Sequence, residues 1–184
     1  MKRHFVKYIY QDWPSHENEY VSILEEIGNK LRIIITDDIP PNRKGIYLIT
    51  SDSGAEASIN LWKEALIHGP DFANPRMFPW TLASSPAGFF AQHLQIMGPN
   101  VSLIGKGENF LHLFDQIRSD FDQQIILQAL IIGIDWNFHQ PSDIKGECIG
   151  LVVDSKELSY LDSKGFTADS NSNFTTILKN LVKH

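Results

Sequence analysis

Cysteine is almost missing from this sequence, since Cys148 is the single one among 184 residues. A lone thiol excludes an intrachain disulfide framework and fits a reducing compartment. Long apolar segments are missing too. The longest run, Ala129 to Ile134, is far shorter than the roughly 20 residues that cross a bilayer. The basic start at Lys2 and Arg3 is not followed by an apolar stretch of signal-peptide length. We therefore expect a cytoplasmic protein without a membrane span.

The sequence also lacks an excess of positive charge. It has 16 lysine and arginine residues against 22 aspartate and glutamate residues, a net charge of −6. A nucleic-acid-binding domain needs a basic face, whereas the basic residues here are scattered. We expect no nucleic-acid partner. With 42% hydrophobic and 21% charged residues, the chain has the composition and length of one domain with a real core.

Metal-ligating residues do not cluster. Zinc sites need ligands that converge on the ion, usually from closely spaced positions. The histidines form no HxxxH or HxH pair with a nearby carboxylate; they include His4, His16, His68, His93, His112 and His139. The sequence predicts no metal site and no cofactor.

Known catalytic signatures are absent as well. The turn Ser51 to Gly54 precedes a predicted helix, but it lacks the glycine spacing and the lysine of a phosphate-binding P-loop. We interpret it as a capped helix start. No GxSxG nucleophile motif occurs. Cys148 lies within a predicted strand, where a cysteine behaves as a small buried hydrophobe.

Hydrophobic periodicity predicts alternating strands and helices, which indicates an α/β domain. A helix after Gly54 should run to about His68 with Leu66 facing inward, and Gly69 to Trp80 should form an irregular loop. Ile33 to Ile35 stays undecided between strand and helix end. Predicted strands are His4–Tyr10, Gly45–Thr50, Val101–Ile104, Ile125–Ile134, Gly146–Asp154 and a short Leu158–Leu161; other helices start near Glu17, Ser84 to Pro86 and Glu108, with a terminal one at Phe174–Val182.

The stretch from Phe78 to Phe114 organises the rest of the chain. It predicts a helix, a turn at Gly98 to Asn100, a short buried strand, a sharp elbow and a second helix. A strand–elbow–helix often carries a nucleophile at its tip. Here the tip carries only Gly105, Lys106, Gly107 and Glu108, and we interpret the two charged residues as solvated or paired rather than catalytic.

This stretch resembles the beta-ketoacyl synthase family, in particular its chain-length factors. The residues that carry the resemblance are Phe78-Pro79, Ser84 to Gly88 and Gly98 to Ser102, with weaker similarity at Gly45 to Gly54 and Ile131 to Asp135. The resemblance implies a single half of a thiolase-like fold, with a mixed sheet of roughly five strands and helices on both faces. It also implies that residues 1–184 form one ketosynthase-like domain, the N-terminal half only.

The sequence departs from the family in two ways. Counted from Gly98, the nucleophilic cysteine of the family falls at Gly107, which has no thiol. The family is also about twice as long, with its catalytic histidines in the second half. The resemblance therefore implies a subunit without a catalytic residue.

Such a subunit would pair with an active ketosynthase in polyketide or fatty-acyl synthesis and shape the pocket for the growing chain. In the family the strand before the nucleophile pairs with its twin across the dimer interface. The expected interface or pocket residues are Phe89, Phe90, Val101, Ser102, Leu103, Ile104, Phe110 and Phe114, although core packing is an alternative role for the aromatic ones.

Two other hypotheses stay open at this point. The chain could be a small acyl-handling enzyme, an acyltransferase or thioesterase, that uses Ser84, Ser85 or Lys106 in a rebuilt site. It could instead be a homodimeric module that binds an acyl carrier protein. Carrier proteins are acidic and need basic contacts, for which the sequence offers only Arg43, Lys44, Arg76 and Lys106.

Overall fold

A five-stranded mixed sheet, in the order β1–β5–β4–β2–β3, forms the centre of the protein. The computed structural model describes residues 5–10, 17–135 and 146–163. The strands are β1 (Phe5–Tyr10), β2 (Lys44–Thr50), β3 (Asn100–Ile104), β4 (Gln128–Asp135) and β5 (Gly146–Val153). The helices are α1 (Glu17–Arg32), α2 (Ala55–His68), α3 (Ser85–His93), α4 (Gly107–Asp122) and α5 (Ser155–Ser163).

The central strand β2 is paired in parallel with β3 on one side and with β4 on the other. The pairs β4–β5 and β5–β1 are antiparallel. Every residue of β2 and of β5 is buried. Their nearly continuous apolar sequences are typical of strands that are covered on both faces.

Helices cover both faces of the sheet. On the first face, Ile46 and Leu48 of β2 join a buried cluster with α1 and α3 side chains such as Leu24 and Phe90. On the second face, Tyr47 and Ile49 join a cluster made largely by α4 and β5, together with Leu158 of α5. We refer to these as the α1–α3 face and the α4–α5 face. The predicted mixed five-stranded sheet with helices on both faces is confirmed.

A separate lobe connects β2 to α3. Helix α2 packs mainly against two 3-10 segments that follow it, Pro70–Phe72 and Pro75–Thr81. We call residues 55–82 the α2 lobe. The predicted irregular loop at 69–80 thus contains short helical turns. Leu66, predicted to face inward, is 77% exposed, because the inner side of α2 is occupied by Ala57 and Leu61.

The predicted strand at Leu158–Leu161 is wrong, since these residues lie in α5. Asp154 starts that helix: its Oδ1 accepts hydrogen bonds of 2.8 Å from the N–H groups of Lys156 and Glu157. The Glu157 carboxylate accepts one of 3.1 Å from the N–H of Asp154 in return. This reciprocal pattern is a capping box, which stabilises a helix start.

Smaller differences from the predicted elements lie around α1 and α3. Residues 33–35 form a turn rather than a strand. Helix α3 ends at His93, before the predicted break at Gly98, and Gln95 then has a positive φ of 55°. Ser84, the residue before α3, makes no side-chain cap hydrogen bond. The predicted terminal helix Phe174–Val182 lies outside the described residues.

Candidate functional site

The elbow after β3 and the loop after β2 meet at the carboxyl ends of these two parallel strands. The N–H of Gly105 donates to the carbonyl oxygen of Thr50 at 3.0 Å. The Thr50 side chain, fully buried, accepts hydrogen bonds from the N–H groups of Ser53 at 2.9 Å and Asp52 at 3.3 Å. The connection from β2 leads to the α1–α3 face and that from β3 to the α4–α5 face, so the two loops diverge here. Ligands of open α/β sheets bind at such a point.

Gly105 makes the sharp bend of the elbow. Its φ of 155° is one that side chains rarely adopt, and an added Cβ would lie 1.7 Å from Nδ2 of Asn109. The N–H of Asn109 donates to the carbonyl of Lys106 at 2.8 Å, which closes the first turn of α4. The Asn109 side chain therefore covers the elbow directly, and only glycine fits beneath it.

The position predicted for a nucleophile is Gly107, the first residue of α4. Gly107 is buried, and glycine supplies neither a thiol nor a hydroxyl. Lys106, just before it, is exposed and makes no side-chain cap. The side chain of Glu108 lies outside the described part of the chain. The elbow thus has the shape that positions a nucleophile, without a nucleophilic side chain at its tip.

The two candidate serines lie at the start of α3. Ser84 is exposed, and the hydroxyl of Ser85 donates to the carbonyl oxygen of Pro79. Of the described histidines, His93 joins α3 to α1, since its Nε2 lies 3.1 Å from Oδ1 of Asn29. Nucleophilic activation needs a base within hydrogen-bond reach. Among the described residues, the hydrogen-bond partner of the Ser85 hydroxyl is a backbone carbonyl rather than a base.

No metal-binding group of histidine, cysteine or acidic residues occurs among residues 5–10, 17–135 and 146–163. In the same part of the chain, none of the helices is both long and apolar enough to span a membrane. Lys44, one of the four scattered basic candidates, is only 5% exposed. Burial lowers the pKa of its ammonium group; the nearby carboxylate of Asp37 opposes this effect, and the positive charge of Arg32 adds to it.

Strand β3 lies at the open edge of the sheet. It is paired only with β2 within the described chain. Val101, Ser102 and Leu103 are half-buried, and Ile104 is 63% exposed. The hydroxyl oxygen of Ser102 is buried and has no hydrogen-bond partner in the part of the protein that the structure describes. An edge strand presents unpaired backbone groups that a further strand can bind.

Comparison with solved structures identifies the fold. The ishigamide ketosynthase/chain length factor matches with a TM-score of 0.52 and 17% identity, over 61% of this chain and 36% of that chain. A type II polyketide synthase acyl-carrier protein in complex with its ketosynthase bound to the hexaketide matches with a TM-score of 0.55 and 13% identity, over 83% of this chain and 52% of that chain. A ketosynthase from module 6 of the bacillaene synthase from Bacillus subtilis 168 matches with a TM-score of 0.44 and 15% identity, over 79% of this chain and 24% of that chain.

The chain has a ketosynthase-like, thiolase-like fold. It spans between about a third and a half of the length of the first two matched chains. No protein-family model and no curated protein sequence matches it. At this low identity the likeness concerns the fold alone, and it assigns no role to individual residues of this chain.

Most aromatic residues expected at the interface or pocket lie in the core of this ketosynthase-like chain. Phe90 and Phe110 are fully buried and Phe114 is 4% exposed. The rings of Phe110 and Phe114 are 4.7 Å apart on the α4–α5 face. Phe89 is half-buried between the ring of Phe90, which it meets edge-on, and that of His93, on which it stacks at 5.7 Å. A surface role is thus open to Phe89 and to β3, while the other three pack internally.

Sequence reasoning missed two features of the ketosynthase-like chain. One is the exposed apolar side of α2, where Trp62 is 68% and Leu66 77% exposed. Their helical spacing is a local signal, but it does not tell an exposed apolar side of a helix from a buried one. The other is a buried hydrogen bond between Tyr47 and Asp120, which no local sequence signal predicts because the residues are 73 positions apart.

Proposed function

We propose that this chain is a non-catalytic, chain-length-factor-like subunit that pairs with an active ketosynthase in polyketide or fatty-acyl synthesis. The observation that carries the proposal is the open edge of β3 beside an elbow without a nucleophile. The ketosynthase-like fold supports it, as do the matched proteins, one of which is described as a ketosynthase/chain length factor.

The edge of β3 is suited to pairing with a strand of another protein. The N–H of Ile46 donates to the carbonyl oxygen of Pro99, and the N–H of Gly105 donates to the carbonyl oxygen of Thr50. The backbone N–H and C=O groups of the odd-numbered residues of 99–105 therefore point to β2. Backbone direction alternates along a strand, and the N–H and C=O groups of Ser102 and Ile104 therefore point away from the sheet. A partner strand would pair with these groups and cover the Ile104 side chain.

The elbow supports a non-catalytic role. An acyl-transfer nucleophile must present a thiol, hydroxyl or amine to the substrate with a base nearby. Gly107 presents none, and Ser85 already donates its hydroxyl to a backbone carbonyl. In the proposed complex the partner ketosynthase performs the chemistry, and this chain contributes shape. The carrier protein that delivers acyl groups would bind the complex rather than this chain alone.

The alternatives have less support. No observation favours an acyl-handling enzyme. A separate carrier-binding module would need basic side chains on one surface, and the burial of Lys44 removes one of the four candidates. We place the proposed complex in the cytoplasm, where the single cysteine stays reduced.

The test is co-expression with each complete ketosynthase encoded by the same genome, followed by affinity purification and analysis of product chain length. We expect one ketosynthase to co-purify and its product length to depend on this chain. Ile104→Glu should weaken the complex at least tenfold, because it buries a charge against the partner. Ile33→Glu is the matched control, since Ile33 is 82% exposed in the turn after α1. A wild-type chain that binds no ketosynthase and changes no product would refute the proposal.

A further inference from the structure

Helix α2 carries a continuous apolar surface that nothing in the described chain covers. Ile59, Trp62 and Leu66 are 45%, 68% and 77% exposed, and their spacing of three and four residues puts them on one side of the helix. We call these three residues the α2 outer face. The lobe adds other exposed apolar side chains: Ile67 at 73%, Phe72 at 77%, Phe78 at 59% and Leu82 at 49%.

The exposure belongs to a well-packed lobe. The opposite side of α2 packs inward through Ala57, which is fully buried. At the base of the helix Gly54 has a φ of 86°, and an added Cβ would lie 2.5 Å from the carbonyl oxygen of Thr81. At its end the N–H of Gly69 donates to the carbonyl of Ala65 at 3.0 Å. Helix α2 therefore has two apolar sides, of which the described residues bury only one.

The area of β3 is too small to hold a stable complex alone. A five-residue strand is about 17 Å long, and with a layer thickness of roughly 10 Å its edge offers on the order of 170 Å². Stable interfaces bury about 800 Å² on each partner. A partner that pairs with β3 must therefore contact additional surface of this chain.

The α2 lobe leaves the sheet right beside that edge. Thr50, the last residue of β2, is the register partner of Ile104 on β3. Helix α2 starts at Ala55. Five residue steps reach at most about 17 Å, so Ala55 lies within that distance of Thr50, which is paired with Ile104. A partner with an interface of ordinary size can reach both surfaces.

We infer that the α2 outer face binds the same ketosynthase that pairs with β3, and that the partner presents an apolar surface there. This inference rests on the proposed function. An anionic ligand is disfavoured, because Lys63 is the one lysine or arginine in the sequence of α2 and the chain carries a net charge of −6. Neighbouring exposed apolar side chains of this size, here Ile59, Trp62 and Leu66, are typical of interaction sites.

The test compares Trp62→Glu/Leu66→Glu with the control Ile33→Glu, in the full chain, with β3 intact. Binding to the co-purifying ketosynthase is measured by surface plasmon resonance, and folding by circular dichroism and thermal unfolding. We expect binding at least tenfold weaker in the α2 variant, an unchanged control, and a melting temperature within a few degrees of wild type for both.

The outcomes separate the two proposals. If the wild type binds and the α2 variant binds equally well, the inference is wrong and the proposed function stands. If the wild type binds no ketosynthase, both fail. If the wild type alone forms a homodimer that the α2 variant loses, as measured by sedimentation, a second copy covers this face and the inference is again wrong. Should Trp62→Glu/Leu66→Glu not fold, Trp62→Ser and Leu66→Gln separately give the same readout.

Discussion

The hydroxyl of Tyr47 in β2 donates a 2.5 Å hydrogen bond to Oδ2 of Asp120 in α4, and both side chains are buried. Nε2 of Gln116 donates to the other carboxylate oxygen at 2.9 Å. The Tyr47 ring lies over Gly45, where an added Cβ would be 2.6 Å from the ring. This bond joins the central strand to the last turn of the helix that begins at the elbow, so it fixes how α4 sits on the sheet.

Tyr47→Phe should therefore destabilise the protein. The substitution keeps the ring and leaves a buried carboxylate with one donor fewer, which costs about 1–3 kcal/mol. Urea denaturation followed by circular dichroism measures the change in the free energy of unfolding. Ser84→Ala is the control, because it removes a hydroxyl that is exposed and makes no cap hydrogen bond. Equal stability of the two variants would contradict the prediction.

The hydrogen bond between Tyr47 and Asp120 should also make the protein less stable at high pH. Burial, and then the hydrogen bond to Asp120, raise the pKa of Tyr47 well above its ordinary value of 10.0. A raised pKa in the folded state means that the stabilisation is full below the pKa of the unfolded chain and declines as the pH rises past it. The unfolding free energy of wild type should fall from about pH 10 upward, and the Tyr47→Phe variant should show a smaller fall. Parallel pH profiles would show that other groups cause the loss.

Gly105 should not tolerate a side chain. Gly105→Ala places a Cβ against the Asn109 amide at a φ of 155°, so it should cost about 1–3 kcal/mol. The double variant Gly105→Ala/Asn109→Ala should recover the steric part and keep the backbone part. Gly88→Ala is the matched control, since an added Cβ there meets nothing within 4 Å in helix α3. It should stabilise by about 0.5–1 kcal/mol. The prediction fails if Gly105→Ala is as stable as Gly88→Ala.

The central part of the fold was predictable because its signals are local. Strand β2 and the segment Ala129 to Ile134 of β4 are apolar on both faces, which indicates a buried strand wherever the sheet places it. The elbow was predictable from Gly105 to Gly107 after a short apolar run. The capping box of Asp154 and Glu157 is local too, and it stabilises a helix where the short apolar segment Leu158 to Leu161 alone predicts a strand.

The remainder depends on information that a sequence pattern does not contain. Helix α2 has apolar residues on two sides, and periodicity alone does not tell which side packs against the rest of the chain. Leu66, predicted on the buried side, lies on the exposed side. The Tyr47–Asp120 bond joins residues that are distant in sequence. That the Ser102 hydroxyl has no hydrogen-bond partner among the described residues follows only from the positions of all its neighbours.

The acyl-handling alternative predicts activity that we do not expect. Purified wild type, Ser85→Ala and Lys106→Ala should all hydrolyse acyl thioesters no faster than the uncatalysed background, because Gly107 presents no nucleophile. The assay measures thiol release from short-chain and long-chain acyl thioesters. Hydrolysis by wild type that either variant loses would restore that alternative and contradict the non-catalytic role.

Substitution of Ser102 should affect the stability of the free chain and the affinity of the proposed complex differently. Its buried hydroxyl oxygen has no partner in the described chain, so Ser102→Ala removes an unsatisfied polar group. The isolated chain should be unchanged or up to about 1 kcal/mol more stable. If a partner strand supplies a hydrogen bond to this hydroxyl, the same substitution should weaken binding to the ketosynthase three- to tenfold. Urea denaturation and surface plasmon resonance on the same preparation measure both effects. A destabilised free chain would mean that the hydroxyl is satisfied within this protein, and that the edge of β3 does not need a partner at this position.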